Sequence, residues 1–163
     1  RTVIYRWFGH VNDPVFTGAS TDYRVKLLTL LEAEGLSVTC PHRFVSRNRR
    51  NAMNRSGKVI VNIPQREGWQ WLSLMRIVAG LQTGRTTISL GTSDVSQIAS
   101  CCTQLDIRKR DWISEVKQCV DDSTSCYYRD AVNYSVRDKK FEQERPFPHH
   151  ACAARIVTDS EGV

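Results

Sequence analysis

Residues 58–92 read KVIVNIPQREGWQWLSLMRIVAGLQTGRTTISLGT, and no other stretch constrains the fold as strongly. A β-branched apolar run at 59–63 stops at Pro64, a helical pattern follows, and Gly84 gives way to a second β-branched run at 86–90. The order is strand, helix, strand. Trp71, Leu74, Met75, Val78 and Leu81 recur at the spacing of one helical face and predict its apolar stripe, with Ser73, Arg76, Gly80 and Thr83 on the small or polar face. Gly84 stands where a C-terminal cap is expected. Both strand runs are nearly continuous instead of alternating, as parallel strands covered on both faces are. Ligands of such sheets collect beyond the carboxyl ends of the strands, here residues 62–67 and 90–94.

The alternation extends outward. Residues 3–8 read as a first strand ending at Gly9 and His10, followed by a loop with Asp13-Pro14 and Gly18. Ser20, Thr21 and Asp22 supply an N-cap, with Asp22 read as a cap and not a base, for a helix carrying Leu27, Leu28 and Leu31 and closed by Gly35. Residues 36–40 predict a second strand, and 43–55 one or two short basic helices. After Leu90 a turn opens a short helix near 95–99, and 105–107 read as a last strand. Asp111 caps a helix striped with Trp112, Ile113, Val116, Cys119 and Val120; a second, from about 123 to 143, presents Tyr127, Ala131, Tyr134 and Phe141. The expected fold is α/β: a Rossmann-like open parallel sheet flanked by helices, with carboxyl-terminal helices. Residues 1–145 form the single expected domain and 146–163 an extended tail around Pro146-Phe147-Pro148.

The 163 residues suffice for one core without disulfides. No apolar run is long enough to span a bilayer and no leader pattern is visible, so the expectation is a cytoplasmic protein. A chain starting at Arg1 and entering a strand at once reads as a processed or excised piece. Six cysteines without a CxxC pair are expected to be mostly reduced. His149, His150 and Cys152 lack a second ligand cluster and predict a mobile tail; no metal and no required cofactor are expected.

The net charge of +6 is concentrated. Between Gly35 and Glu67 there is no acidic residue, while Arg43, Arg47, Arg49, Arg50, Arg55, Lys58 and Arg66 are all cationic. Such a patch suits an anionic partner, including nucleic acid, or serves as a solvated helix face.

No nucleophile motif such as G-x-S-x-G is present. His10, just after a strand end, is the one histidine placed for catalysis, although lone loop histidines are more often inert. Arg66 at a strand end and Arg76 on the polar helix face could each bond a diphosphate, with an Arg66–Glu67 ion pair or plain solvation as the simpler alternative.

Gly9 after an aromatic first strand, the Arg24-containing helix, the KVIVNI strand and above all LMRIVAGLQTG at 74–84 resemble the carboxyl-terminal, donor-binding domain of GT-B glycosyltransferases, close to the group 1 and spore-maturation-protein-like members. The resemblance covers roughly residues 3–141. It implies a nucleotide-sugar or nucleoside diphosphate ligand held by Gly9, His10, Asn62, Arg76, Gly91 and Thr92, and glycosyl transfer once an amino-terminal acceptor domain or partner protein is joined. Ala79 stands where the family carries a glutamate that holds the ribose or sugar. That departure leaves a second expectation open, a non-catalytic interaction domain using the 43–58 patch to bind a protein or nucleic acid. A phosphate-recognising hydrolase or receiver-like domain ranks lower, because the first strand lacks an acidic magnesium cluster.

Overall fold

The computed structural model describes residues 14–41 and 43–144. The strand expected at 3–8, Gly9, His10, Asp13, His42 and the tail from 146 onward lie outside the described residues. The elements run β1 (Pro14–Val15), α1 (Asp22–Ala33), α2 (Arg47–Ser56), β2 (Val59–Asn62), α3 (Leu74–Gln82), β3 (Thr86–Leu90), β4 (Thr103–Leu105), α4 (Trp112–Asp121) and α5 (Ser123–Glu144), with a 3-10 turn at Gln97–Cys101.

The sheet is parallel throughout, in the order β1-β2-β3-β4. On the other flank of β1, Val15 forms a parallel bridge with Thr39, the one residue of the expected 36–40 strand that pairs. The chain therefore leaves β1 in one direction to reach Thr39 and returns past it to β2. Between β1 and β2 the winding reverses, the place where open α/β sheets leave a crevice at the carboxyl ends of their strands.

Two helical layers cover the sheet. Phe16, Val59, Val61, Ile63, Ile88 and Leu90 pack with Leu27, Leu28 and Leu31 of α1 and with Trp112, Val116 and Val120 of α4. On the opposite layer Ile77 of α3 joins Ile98, Cys101 and Cys102, with Leu72, Leu81 and Tyr134 against them. The five described cysteines are free thiols.

The central unit is corrected in one respect. The helix starts at Leu74, and the expected stripe is largely exposed: Trp71 by 67%, Leu74 by 51% and Met75 by 70%. The face turned to the sheet is the small one. A Cβ on Gly80 would stand 2.6 Å from Thr87 Oγ1, 3.0 Å from the Arg85 carbonyl oxygen and 3.3 Å from Ile60 Cδ1, so glycine lets α3 settle closely on β2 and β3. The first turn of α3 overhangs the carboxyl edge, which is why its apolar residues stay in water. At the other end Gly84, at φ +74°, terminates the helix as expected.

Three further corrections concern the flanks. Pro14, read as loop, opens the strand that pairs with β2. Thr21, not Asp22, is the N-cap of α1. The last strand is Thr103–Leu105, two residues earlier than expected, and the helix expected near 95–99 is the 3-10 turn. At the amino end of β3, buried Asp130 of α5 accepts from Thr86 Oγ1 and from Arg129 at 2.8 Å, fixing α5 to the sheet. Burial raises the Asp130 carboxyl above its ordinary range, opposed by these hydrogen bonds.

Candidate functional site

Phe16, the residue after β1, is fully buried at the crevice where the winding reverses. Two arginines meet on its ring. Arg24, in the first turn of α1, lies 5.5 Å from the ring centroid, and Arg76 of α3 lies 5.3 Å from it. Each distance is within cation–π range. The two come from opposite helical layers and converge over the carboxyl ends of β1 and β2.

Local chemistry holds both side chains. The Thr21 hydroxyl accepts from the Arg24 backbone N–H at 3.4 Å and donates to the Gln65 carbonyl at 2.9 Å, joining the start of α1 to the loop after β2. Arg24 then donates through Nε to the carbonyls of Ile63 and Pro64, at 3.0 and 3.1 Å, and through Nη1 to Ala19 at 2.8 Å. Arg76 donates through Nη1 to Asn62 Oδ1 at 2.7 Å and to the Ile63 carbonyl at 3.2 Å. Asn62 passes the chain on, its Nδ2 donating to Ser89 Oγ at 2.7 Å, and Thr92 Oγ1 donates to the same oxygen at 2.9 Å. Backbone and side-chain dipoles of three strand ends are thereby spent on orienting two guanidinium groups.

The electrostatics of the crevice are one-sided. Among the described residues the ion pairs are Arg108–Asp106, Lys117–Glu34 and Arg129–Asp130; neither Arg24 nor Arg76 has a carboxylate partner. Burial, and after it the neighbouring charge of Arg24, pulls the Arg76 guanidinium down to about 10, and burial lowers that of Arg24. A guanidinium carries five N–H donors. Among the described residues, Nε and Nη2 of Arg76 and Nη2 of Arg24 meet no acceptor, and none of these atoms is sealed from solvent. Donors of this kind on two guanidinium groups have the chemistry to bond an anion.

Glycines shape its walls. A Cβ on Gly18 would stand 2.4 Å from Arg76 Nη2 and 2.5 Å from Phe16 Cζ, so the loop after β1 lies directly on the second guanidinium. Gly91, at φ +70°, turns the chain after β3, and a Cβ there would meet Tyr23 Oη at 3.0 Å. The Tyr23 hydroxyl is raised by burial and by Glu67.

Of the residues expected at the site, Asn62, Arg76 and Thr92 form one hydrogen-bonded chain and Gly91 adjoins it. Gly9 and His10 lie outside the described residues, and the loop that reaches the crevice is the one following Val15. Arg66 is exposed and stacks 5.2 Å from the Trp69 ring instead of joining the pair. The basic stretch is divided. Arg43 and Arg47 stand at the carboxyl edge, Arg49 and Arg50 follow in the first turn of α2, and Arg55 and Lys58 lie about 15 Å along it near the amino edge. There Arg85 donates to the carbonyls of Gly57 and, at 2.7 Å, Arg55, capping α2.

Comparison with protein-family models, with curated proteins and with solved structures returns no match. The site is therefore argued from its own atoms. Arg24, Phe16, Gly18 and Ser89 were missed as site residues by sequence reasoning, yet Arg24 carries a legible signal. It occupies the buried register of α1 with Leu27, Leu28 and Leu31, and an arginine on an apolar stripe requires a reason. Asp94 is structural: it accepts from the backbone N–H groups of Leu72 and Ser96 at 2.9 and 2.7 Å, and these bonds lower its carboxyl. No group of three or more metal-ligating side chains is present among the described residues.

Proposed function

We propose that the chain is a Rossmann-like domain that binds a nucleoside diphosphate or nucleotide-sugar in the crevice between the carboxyl ends of β1 and β2. The observation that carries it is the Arg24–Arg76 pair on Phe16, buried at Arg24 and half-buried at Arg76, hydrogen-bonded to strand ends and, among the described residues, without a carboxylate partner. A diphosphate supplies the missing negative charge and the acceptors that the free guanidinium N–H groups lack. Its position at the reversal of winding is where open α/β sheets take such ligands. The likeness of residues 74–84 to GT-B donor domains supports the nucleotide-sugar form, with Arg76 neutralising the leaving diphosphate if an acceptor domain is joined.

Ala79 limits the sugar end of the ligand. It is buried, so the family's carboxylate is missing at a position already closed to solvent. Recognition then rests on the diphosphate. Calorimetric titration with nucleoside diphosphates, the corresponding nucleotide-sugars and nucleosides tests this directly. Saturable binding of the first two and none of the nucleoside is expected; absence of heat and of any rise in melting temperature at millimolar diphosphate defeats the proposal.

A further inference from the structure

Six of the large apolar side chains exposed among the described residues stand at one edge of the sheet: Phe44, Trp69, Trp71, Leu74, Met75 and Val95. Topology places them there. Phe44 follows the Thr39 segment, Trp69 and Trp71 follow β2, Leu74 and Met75 form the first turn of α3, and Val95 follows β3. All strands are parallel, so every one of these positions lies beyond a carboxyl end.

The side chains stand off the surface. Phe44 is 101% exposed and Val95 96%, so neither ring nor branch is seated in a groove of the fold. A protein partner recognises such tips only with a pocket shaped for each, whereas the headgroup–acyl boundary of a bilayer deforms to accept them. The charges at the same edge match that medium. Arg43, Arg47 and Arg66 flank the apolar tips, and Arg108, Lys109 and Arg110 follow β4. The acids here are Asp22, Glu67, Asp94, Asp106 and Asp111, fewer than the six cations; Asp106 is paired with Arg108 at 2.8 Å, and Asp94 is buried against the backbone N–H groups of Leu72 and Ser96. Aromatic and apolar tips interleaved with arginine are the composition of an interfacial anchor. No described helix is long and apolar enough to cross a membrane, so contact through this edge is peripheral.

We propose that the carboxyl edge docks on an anionic lipid bilayer, with Phe44, Trp71, Met75 and Val95 entering the headgroup region and Arg43, Arg47 and Arg66 lying against lipid phosphates. The ligand crevice opens at the same edge, so a docked domain presents it to the membrane surface. Docking itself requires no nucleotide.

The test is sedimentation of the full chain with vesicles of phosphatidylcholine alone and of equal parts phosphatidylcholine and phosphatidylglycerol, without nucleotide. Binding to the mixed vesicles only, weakening with salt, is expected. Arg43→Gln and Arg66→Gln should each weaken it on the order of fivefold. Combined Phe44→Ser and Trp71→Ser should abolish it while the melting temperature stays within a few degrees, because both side chains are exposed. No binding to mixed vesicles, or binding that these variants leave unchanged, overturns the proposal. Self-association by sedimentation velocity, lost in the Phe44→Ser/Trp71→Ser variant and accompanied by no vesicle binding, assigns the edge to a second copy instead. Vesicle binding with no nucleotide binding leaves docking intact and defeats only the diphosphate site; the reverse result defeats docking alone.

Discussion

Arg76→Met keeps an unbranched apolar stem and removes the charged head, and the structure sets opposing effects on stability and on binding. A guanidinium pulled down from its ordinary range to about 10 carries a burial penalty on the order of 3 kcal/mol, reduced by water at its open edge. Methionine removes that penalty, but leaves Asn62 Oδ1 without its charged donor, a loss of about 1.5 to 3 kcal/mol, while the Ile63 carbonyl keeps the hydrogen bond from Arg24 Nε. The cation–π contact with Phe16 is replaced by apolar packing. The stability terms nearly cancel, and the variant should fold within about 2 kcal/mol of the parent chain. Diphosphate affinity has no such compensation. Loss of one charge-assisted contact should raise Kd by roughly 10- to 100-fold. The pH dependence follows from the lowered guanidinium. Below about 10 both folded and unfolded chains hold the proton and the penalty is complete; above about 10 the folded parent releases it before the unfolded chain does and gains stability relative to the variant as pH rises. Denaturant melts at neutral pH and calorimetry with a nucleoside diphosphate measure both effects. Unchanged affinity in a variant that melts normally refutes the role given to Arg76.

Other substitutions probe neighbouring contacts. Gly18→Ala forces a methyl into Arg76 Nη2 and Phe16 and should weaken diphosphate binding at least about tenfold, at a stability cost of about 1–3 kcal/mol; calorimetry and melts read the two separately. Gly80→Ala sets a helix-propensity gain of about 1 kcal/mol against overpacking on Thr87 Oγ1 and the Arg85 carbonyl, and should lower the melting temperature; a rise contradicts the close approach of α3 to the sheet. Asp130→Asn keeps one acceptor oxygen for Arg129 and turns its Nδ2 toward Thr86 Oγ1 as a donor, without burying a charge. The parent's raised carboxyl gives stability that is present below 3.8 and lost as pH rises through the folded value, so this part of the pH slope should vanish in the variant, and an identical slope in both chains would show that Asp130 is not its source.

The strand–helix–strand unit, the caps at Gly35 and Gly84 and the stripe of α4 were legible because local chemistry and packing agree there. The stripe of α3 was not. Periodicity selects the large apolar residues, but this helix packs through Gly80, Ile77 and Leu81 while Leu74 and Met75 overhang the sheet. Arg76, Asn62 and Thr92, expected from the sequence, come together in one hydrogen-bonded chain because each adjoins the central unit. Phe16 and Arg24 escaped because their meaning depends on which strand neighbours β2, and the two described residues of that strand, Pro14 and Val15, show no periodicity to reveal it. The charge run at 43–58 showed its composition but not its division between the two ends of α2. Linear density does not specify a three-dimensional patch.

The central claim is that Arg24 and Arg76 together receive an anion. Nitrogen–proton correlation spectra of the arginine Nε–H groups, recorded during titration with a nucleoside diphosphate, observe those atoms directly. The Arg24 Nε–H is sheltered by the Ile63 and Pro64 carbonyls and should give a resolved signal. Both arginine signals, identified through Arg24→Lys and Arg76→Lys, should shift along one saturable isotherm. Signals that stay fixed while resonances elsewhere titrate would place the anion away from this pair and contradict the account.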